Sequence, residues 1–81
     1  MTLAPDLLAE FEIISMFNLA NTLEGLKVHQ DAGNRLIDAA QRLHAKGLTS
    51  QPDGGYLTSL GLEAAEHAQG LLTILAERQA A

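Results

Sequence analysis

Leu48-Thr49-Ser50-Gln51-Pro52-Asp53-Gly54-Gly55-Tyr56-Leu57-Thr58 decides the fold class. Two short β-prone runs flank Pro-Asp-Gly-Gly. Proline presets the first turn position, and glycine accepts the positive φ that a tight reversal requires. The spacing predicts a hairpin with Gly54 and Gly55 at its tip. A lone hairpin is marginal in water, and Leu26-Lys27-Val28-His29, alternating apolar with polar, offers the third strand. Helical patterns lie on both sides of these segments, so the expected class is α+β.

Upstream, a helix is expected from about Pro5 to Asn18. Proline is tolerated in a first helical turn, and Asp6, Glu10 and Glu12 suit the positive helix start. Leu7, Leu8, Phe11 and Ile14 share one face and read as the core side. Ile13, Met16 and Phe17 form a second apolar face that asks for another partner. Asn21-Thr22 and Gly25 mark a turn. Asp31 can cap a middle helix running to Lys46, with Gly47 in the left-handed position past its end. Leu36, Ile37, Ala40 and Leu43 make its core face.

Downstream, Thr58 or Ser59 can cap a last helix of roughly Leu60 to Arg78. Its apolar arc holds Leu62, Ala64, Ala65, Ala68, Leu71, Leu72, Leu75 and Ala76. That arc covers about half the circumference, against the ~100° that a single core requires. The excess points to the same helix of a second subunit. A homodimer is therefore expected, burying Ile13, Met16 and Phe17 together with Leu71, Leu72 and Leu75.

The chain has 81 residues, 47% of them apolar, with a mean hydropathy of +0.06, a globular composition suited to one domain. It contains no cysteine, which excludes disulfides, thiolate metal sites and cysteine nucleophiles. No secretory signal is visible at the start and no apolar run approaches the ~20 residues of a bilayer span, so a cytoplasmic protein without membrane association is expected.

Ten acidic against five basic side chains give a net charge of −5. Such a molecule is repelled overall by phosphate backbones. The distribution is uneven, however: Lys27, Arg35, Arg42 and Lys46 face only Asp31 and Asp38 between residues 26 and 47. Within the middle helix, Arg35, Arg42 and Lys46 fall on one stripe, flanked by Asn34 and Gln41, whose amides can hydrogen-bond base edges. The alternative is a solvated face in which Asp38 pairs with Arg35 and Arg42 at helical spacing.

Catalysis has no visible foundation. There is no glycine-rich phosphate loop, no nucleophile elbow and no HExxH. His29, His44 and His67 are widely separated, and Glu63 with His67 reads as a surface hydrogen bond. No catalytic residue, metal site or cofactor is expected.

Read together, Ala40-Gln41-Arg42-Leu43-His44-Ala45-Lys46-Gly47-Leu48 and Gly55-Tyr56-Leu57-Thr58-Ser59-Leu60-Gly61 resemble the later half of a bacterial winged-helix domain, over about residues 36–66. In those regulators a recognition helix ends in Leu-x-x-x-Gly-Leu, a wing hairpin closes with Leu-Thr-x-x-Gly, and a further helix often dimerises. The resemblance implies a recognition-helix role for Asn34, Arg35, Gln41, Arg42 and Lys46, and a wing-tip role for Gly54 and Gly55. The segment between His29 and Leu48 has room for one helix where a winged helix has two. The implied fold is thus a reduced winged-helix-like one: helix, short strand, helix, β-hairpin, long C-terminal helix.

The whole chain is also similar to a family of small uncharacterised bacterial proteins, often labelled DNA-binding or transcription-related. Phe17-Asn18-Leu19, Glu24-Gly25-Leu26-Lys27-Val28-His29, Asp53 through Gly61 and Glu63-Ala64-Ala65-Glu66-His67 carry that resemblance. Two functions are expected from these readings. One is a non-enzymatic DNA-associated regulator. The other is a protein-interaction or adaptor module, an acidic homodimer that does not bind DNA.

Overall fold

The computed structural model describes residues 3–21 and 23–78; Met1 and Thr2 of the start and Thr22 of the turn lie outside them. The hairpin joins β2 (Thr49–Gln51) to β3 (Gly54–Leu57), and β1 (Leu26–Lys27) pairs with the other edge of β3. All pairings are antiparallel, and the strand order is β1-β3-β2. Three helices complete an α+β fold: α1 (Pro5–Met16), α2 (Asn34–Ala45) and α3 (Ser59–Glu77).

The reversal falls on Pro52-Asp53, so Gly54 and Gly55 lie within β3 and not at an exposed tip. Leu26 pairs with Gly55 and Lys27 with Gly54. Gly54 has φ +121°, and a Cβ there would run into the Leu26 carbonyl, whose carbon would be 3.1 Å away. Glycine at this position is therefore demanded by strand pairing as well as by the turn. The β2–β3 register shifts between Thr49 and Gln51, where the Tyr56 N–H donates to Ser50 Oγ at 2.9 Å. A side-chain oxygen thus takes over where the ladder is interrupted.

Two helix ends differ from expectation. Asp31 does not cap α2; Gln30–Ala32 form a 3-10 turn, and Gly33 at φ +93° precedes the helix. Backbone in that left-handed region cannot continue the turn into the helix, so α2 starts afresh at Asn34. Helix α1 stops at Met16 because Phe17 is extended and Asn18 Oδ1 accepts the Ala20 N–H at 2.9 Å. Gly47 (φ +83°) does close α2, its N–H donating to the His44 carbonyl at 3.0 Å.

Thr58 caps α3. Its Oγ1 accepts the Gly61 N–H at 3.1 Å and donates to the Gly47 carbonyl at 2.6 Å, tying the start of α3 to the end of α2. Thr58→Ala should therefore lower stability by about 1 kcal/mol, with Thr58→Ser recovering most of it, as read by urea denaturation.

The core comprises Ala9, Ile13, Ile14 and Phe17 of the first segment, Ala39, Ala40 and Leu43 of α2, and Ala65 and Ala68 of α3. This corrects the expected faces of α1. Ile13 is 0% and Phe17 5% exposed, so neither is a surface residue available to a second subunit, whereas Leu7 (48%) and Leu8 (41%) are exposed. The physical reason is that α1 packs on two sides within its own chain. The alanine faces of α2 and α3 lack bulk, so both helices approach α1 closely and leave no side of Ile13 open. Met16 alone of the expected trio stays exposed, at 53%.

Candidate functional site

The middle-helix stripe was the sharpest functional expectation, and its surroundings follow from how α2 docks. Ala39, 0% exposed, lies between Arg35 and Arg42 along that stripe, and α1 packs over it. The stripe consequently meets the carboxylates of α1. Arg35 donates to Glu12 through both terminal nitrogens, Nη1 to Oε2 at 2.7 Å and Nη2 to Oε1 at 3.0 Å. Arg42 Nε donates to Glu10 Oε2 at 3.2 Å, and Arg42 Nη2 donates to the Asp6 carbonyl at 3.3 Å. Lys46 Nζ donates to the other Glu10 oxygen, Oε1. Pairing order runs down α1 as it runs up α2, so the helices are antiparallel.

Glu10 is the centre of this arrangement, with a side chain only 8% exposed. Burial pushes its carboxyl pKa up, but the hydrogen bonds and charges of Lys46 and Arg42 together outweigh that, leaving it below the usual carboxylate range. Glu12 is held low by its hydrogen bonds from Arg35, despite some desolvation, and the same bonds raise Arg35. With the Asp6 carboxylate 3.8 Å from Arg42 Nη2, three carboxylates of α1 face the three cations of the stripe, and Asp38, their partner in the alternative reading, is exposed beside them.

Asn34 and Gln41 are exposed on α2, as the stripe reading requires, while Gly54 is buried and Gly55 half-buried in β3. The structure therefore gathers Arg35, Arg42 and Lys46 against α1 and does not bring the two glycines to a projecting tip. Glu10 and Glu12 are the participants the sequence reading overlooked.

The second expected site, the apolar excess of α3, is uncovered. Gln69 is the last residue of that helix against the body: its Nε2 donates to the carbonyls of Phe17 at 2.6 Å and Ser15 at 3.3 Å, capping the end of α1. From Gly70 to Arg78 every residue is exposed, with Leu71 at 49%, Leu72 at 40%, Ile74 at 55% and Leu75 at 61%. About 12 Å of helix thus extends past the end of α1.

Two concavities adjoin these features. One of about 260 Å³ lies between the end of α1 and the start of α3, lined by Phe17, Leu19, Leu57 and Leu62 with Glu24 at its rim. Asn18 Nδ2 donates to that carboxylate at 3.1 Å. A shallow groove of similar volume runs between α1 and α3, with Leu7, Phe11, Ala64 and Ala68 among its walls. Among the described residues, no three His, Asp or Glu side chains gather as a metal site would need, and no helix is long and apolar enough to cross a membrane.

These features define a small α+β fold with a basic helix paired internally and a bare apolar helix end. The chain belongs to the Family of unknown function (DUF5669), whose model matches residues 1–76. No curated protein and no solved structure matches it significantly.

Proposed function

We propose that this protein is a non-enzymatic protein-interaction module that docks through the uncovered end of α3. The observation that carries this reading is the run from Gly70 to Arg78, exposed throughout yet holding three leucines and an isoleucine. Contiguous apolar surface on a small domain marks an interaction site. The order helix, strand, helix, hairpin, long helix is compatible with descent from a reduced winged helix, but shared architecture does not carry function with it. A DNA-associated role would need Arg35, Arg42 and Lys46 to leave Glu12 and Glu10. Arg35 and Glu12 are both about half exposed and can part by side-chain rotation, but turning Arg42 and Lys46 to phosphate would strip the Glu10 carboxylate, 8% exposed, of its partners.

Titration of isotope-labelled protein with mixed-sequence duplex DNA at low salt tests the reading, because electrostatic association is strongest there. The expected result is that amides 34–46 and that of Gly54 do not move. Concerted shifts over those residues that reverse on adding salt would overturn it in favour of a DNA-associated regulator.

A further inference from the structure

We infer that the occupant of the uncovered α3 face is a second copy of this chain, packed antiparallel about a two-fold axis lying between Ala68 and Leu71; this rests on the interaction reading above. Leu60, Ala64, Ala68, Leu71 and Leu75 recur at helical spacing and form one stripe along α3. The stripe does not end where the body ends. Ala68 lies in the core, while Leu71 and Leu75 continue the same line past the last neighbour that this chain supplies.

Shape makes the stripe complementary to itself. After Leu60 it carries the small residues Ala64 and Ala68, and there the shallow groove of about 260 Å³ is lined also by Leu7, Phe11 and the paired Glu10 and Lys46. Its second half carries the bulky ones. Antiparallel pairing sets Ala68 opposite the partner's Leu71 and Ala64 opposite the partner's Leu75, so each projecting leucine enters the other copy's groove. Parallel pairing would set alanine against alanine and leucine against leucine, leaving that groove empty.

Charge agrees with this direction. Arg78 is the one basic residue of the last segment, and Glu63 lies on the same side of the stripe, fifteen residues earlier. Antiparallel pairing brings Arg78 beside the partner's Glu63, twice per dimer; parallel pairing would set Glu63 beside the partner's Glu63. Area agrees as well. Leu7, Leu60, Leu71 and Leu75, each about half exposed, lie along or beside the stripe as an apolar patch on the order of 300 Å², with Leu72 and Ile74 flanking it on opposite sides of the helix. A stable interface buries about 800 Å² per partner, roughly three fifths of it non-polar, so the patch supplies most of what a dimer needs.

The test is sedimentation equilibrium of the full chain from about 1 to 200 µM, compared with two sets of variants. The wild type should sediment at twice its 8.6 kDa mass. The double variant Leu71→Glu, Leu75→Glu should sediment as a monomer with an unchanged helical spectrum, since both side chains are exposed. Arg78→Glu alone should weaken the dimer about tenfold, and adding Glu63→Arg should restore it. The charge pair touches only surface residues and so keeps the question decidable if the leucine variant misfolds.

A monomer at every concentration overturns the dimer, as does a dimer indifferent to the leucine changes. A dimer that needs the leucines but gains nothing from the charge swap overturns the antiparallel register. None of these outcomes involves the α2 residues followed in the DNA titration, so failure of the dimer and failure of the interaction reading are separable.

Discussion

Gly61→Ala should destabilise this protein by about 3 kcal/mol or more, while Gly70→Ala in the same helix should stabilise it by about 0.5–1 kcal/mol. Helix propensity alone predicts a gain at both positions, because alanine loses less backbone freedom on folding than glycine. Packing reverses the sign at Gly61. The first turn of α3 lies directly on Leu48, and a Cβ on Gly61 would overlap the Leu48 carbonyl oxygen, stand 2.9 Å from its carbon and 3.1 Å from Leu57 Cδ2. The obstacle is backbone, and it is already engaged, because that carbonyl accepts the Thr58 N–H at 3.1 Å. Relief would require moving the start of α3 and breaking its Thr58 cap. A Cβ on Gly70 meets nothing within 4 Å. Domains of this size shift by about 4–8 °C per kcal/mol, so thermal denaturation should show a fall of roughly 12–24 °C for the first variant and a small rise for the second. A stabilised Gly61→Ala would mean that α3 does not approach Leu48 this closely.

The contrast between the two glycines also shows what was legible in the sequence. Local chemistry was: the hairpin, the strand that pairs with it, the Thr58 cap and the left-handed Gly47 all rest on a few adjacent residues, and each formed. Which face of α1 is inside was not, because it depends on what the other helices present. Side-chain bulk favoured Leu7 and Leu8 beside Phe11 and Ile14, but the close approach of Ala39, Ala40, Ala65 and Ala68 kept Ile14 inside and buried Ile13 and Phe17 in place of the two leucines.

A signal for the ion pairs was nevertheless present. At about 100° per residue, Asp6, Glu10, Ile13 and Phe17 fall within about 60° of one another, and so do Arg35, Ala39, Arg42 and Lys46. An acidic stripe leading into two apolar residues and a basic stripe interrupted by an alanine are complementary helix faces. Reading α2 alone made its cations look available to phosphate; reading the two stripes together pairs Arg42 and Lys46 with Glu10, whereas Glu12, the partner of Arg35, lies about 100° off the acidic stripe and was not indicated by it. The apolar excess of α3 was legible from its width alone. That its uncovered part is the far end became plain only from where α1 stops.

Glu10→Gln should lower stability by about 1–2 kcal/mol at neutral pH, in a pH-dependent way that Glu12→Gln shares only weakly. Glutamine keeps the size and one acceptor oxygen of Glu10 but removes the charge facing Arg42 and Lys46. Breaking a fully buried pair is worth about 3–5 kcal/mol, yet the Arg42 and Lys46 side chains are 32% and 49% exposed and water compensates part of the loss. The folded-state carboxyl of Glu10 lies below its ordinary value of 4.5, so the unfolded chain takes up a proton more readily than the folded one. Stability from this group is therefore complete above that ordinary value and is lost as pH falls through the lower, folded value. Urea denaturation of wild type and variant should show a constant gap from pH 7 down to about 5, narrowing steadily on further acidification. Added salt should shrink the effect of Glu12→Gln, whose partner is exposed, more than that of Glu10→Gln. A gap that persists unchanged into acid would mean that glutamine disturbs packing and that the Glu10 charge does not hold α1 to α2. A wild type no more stable than the variant at neutral pH would leave the α2 cations free, and with them the case for a DNA-associated role.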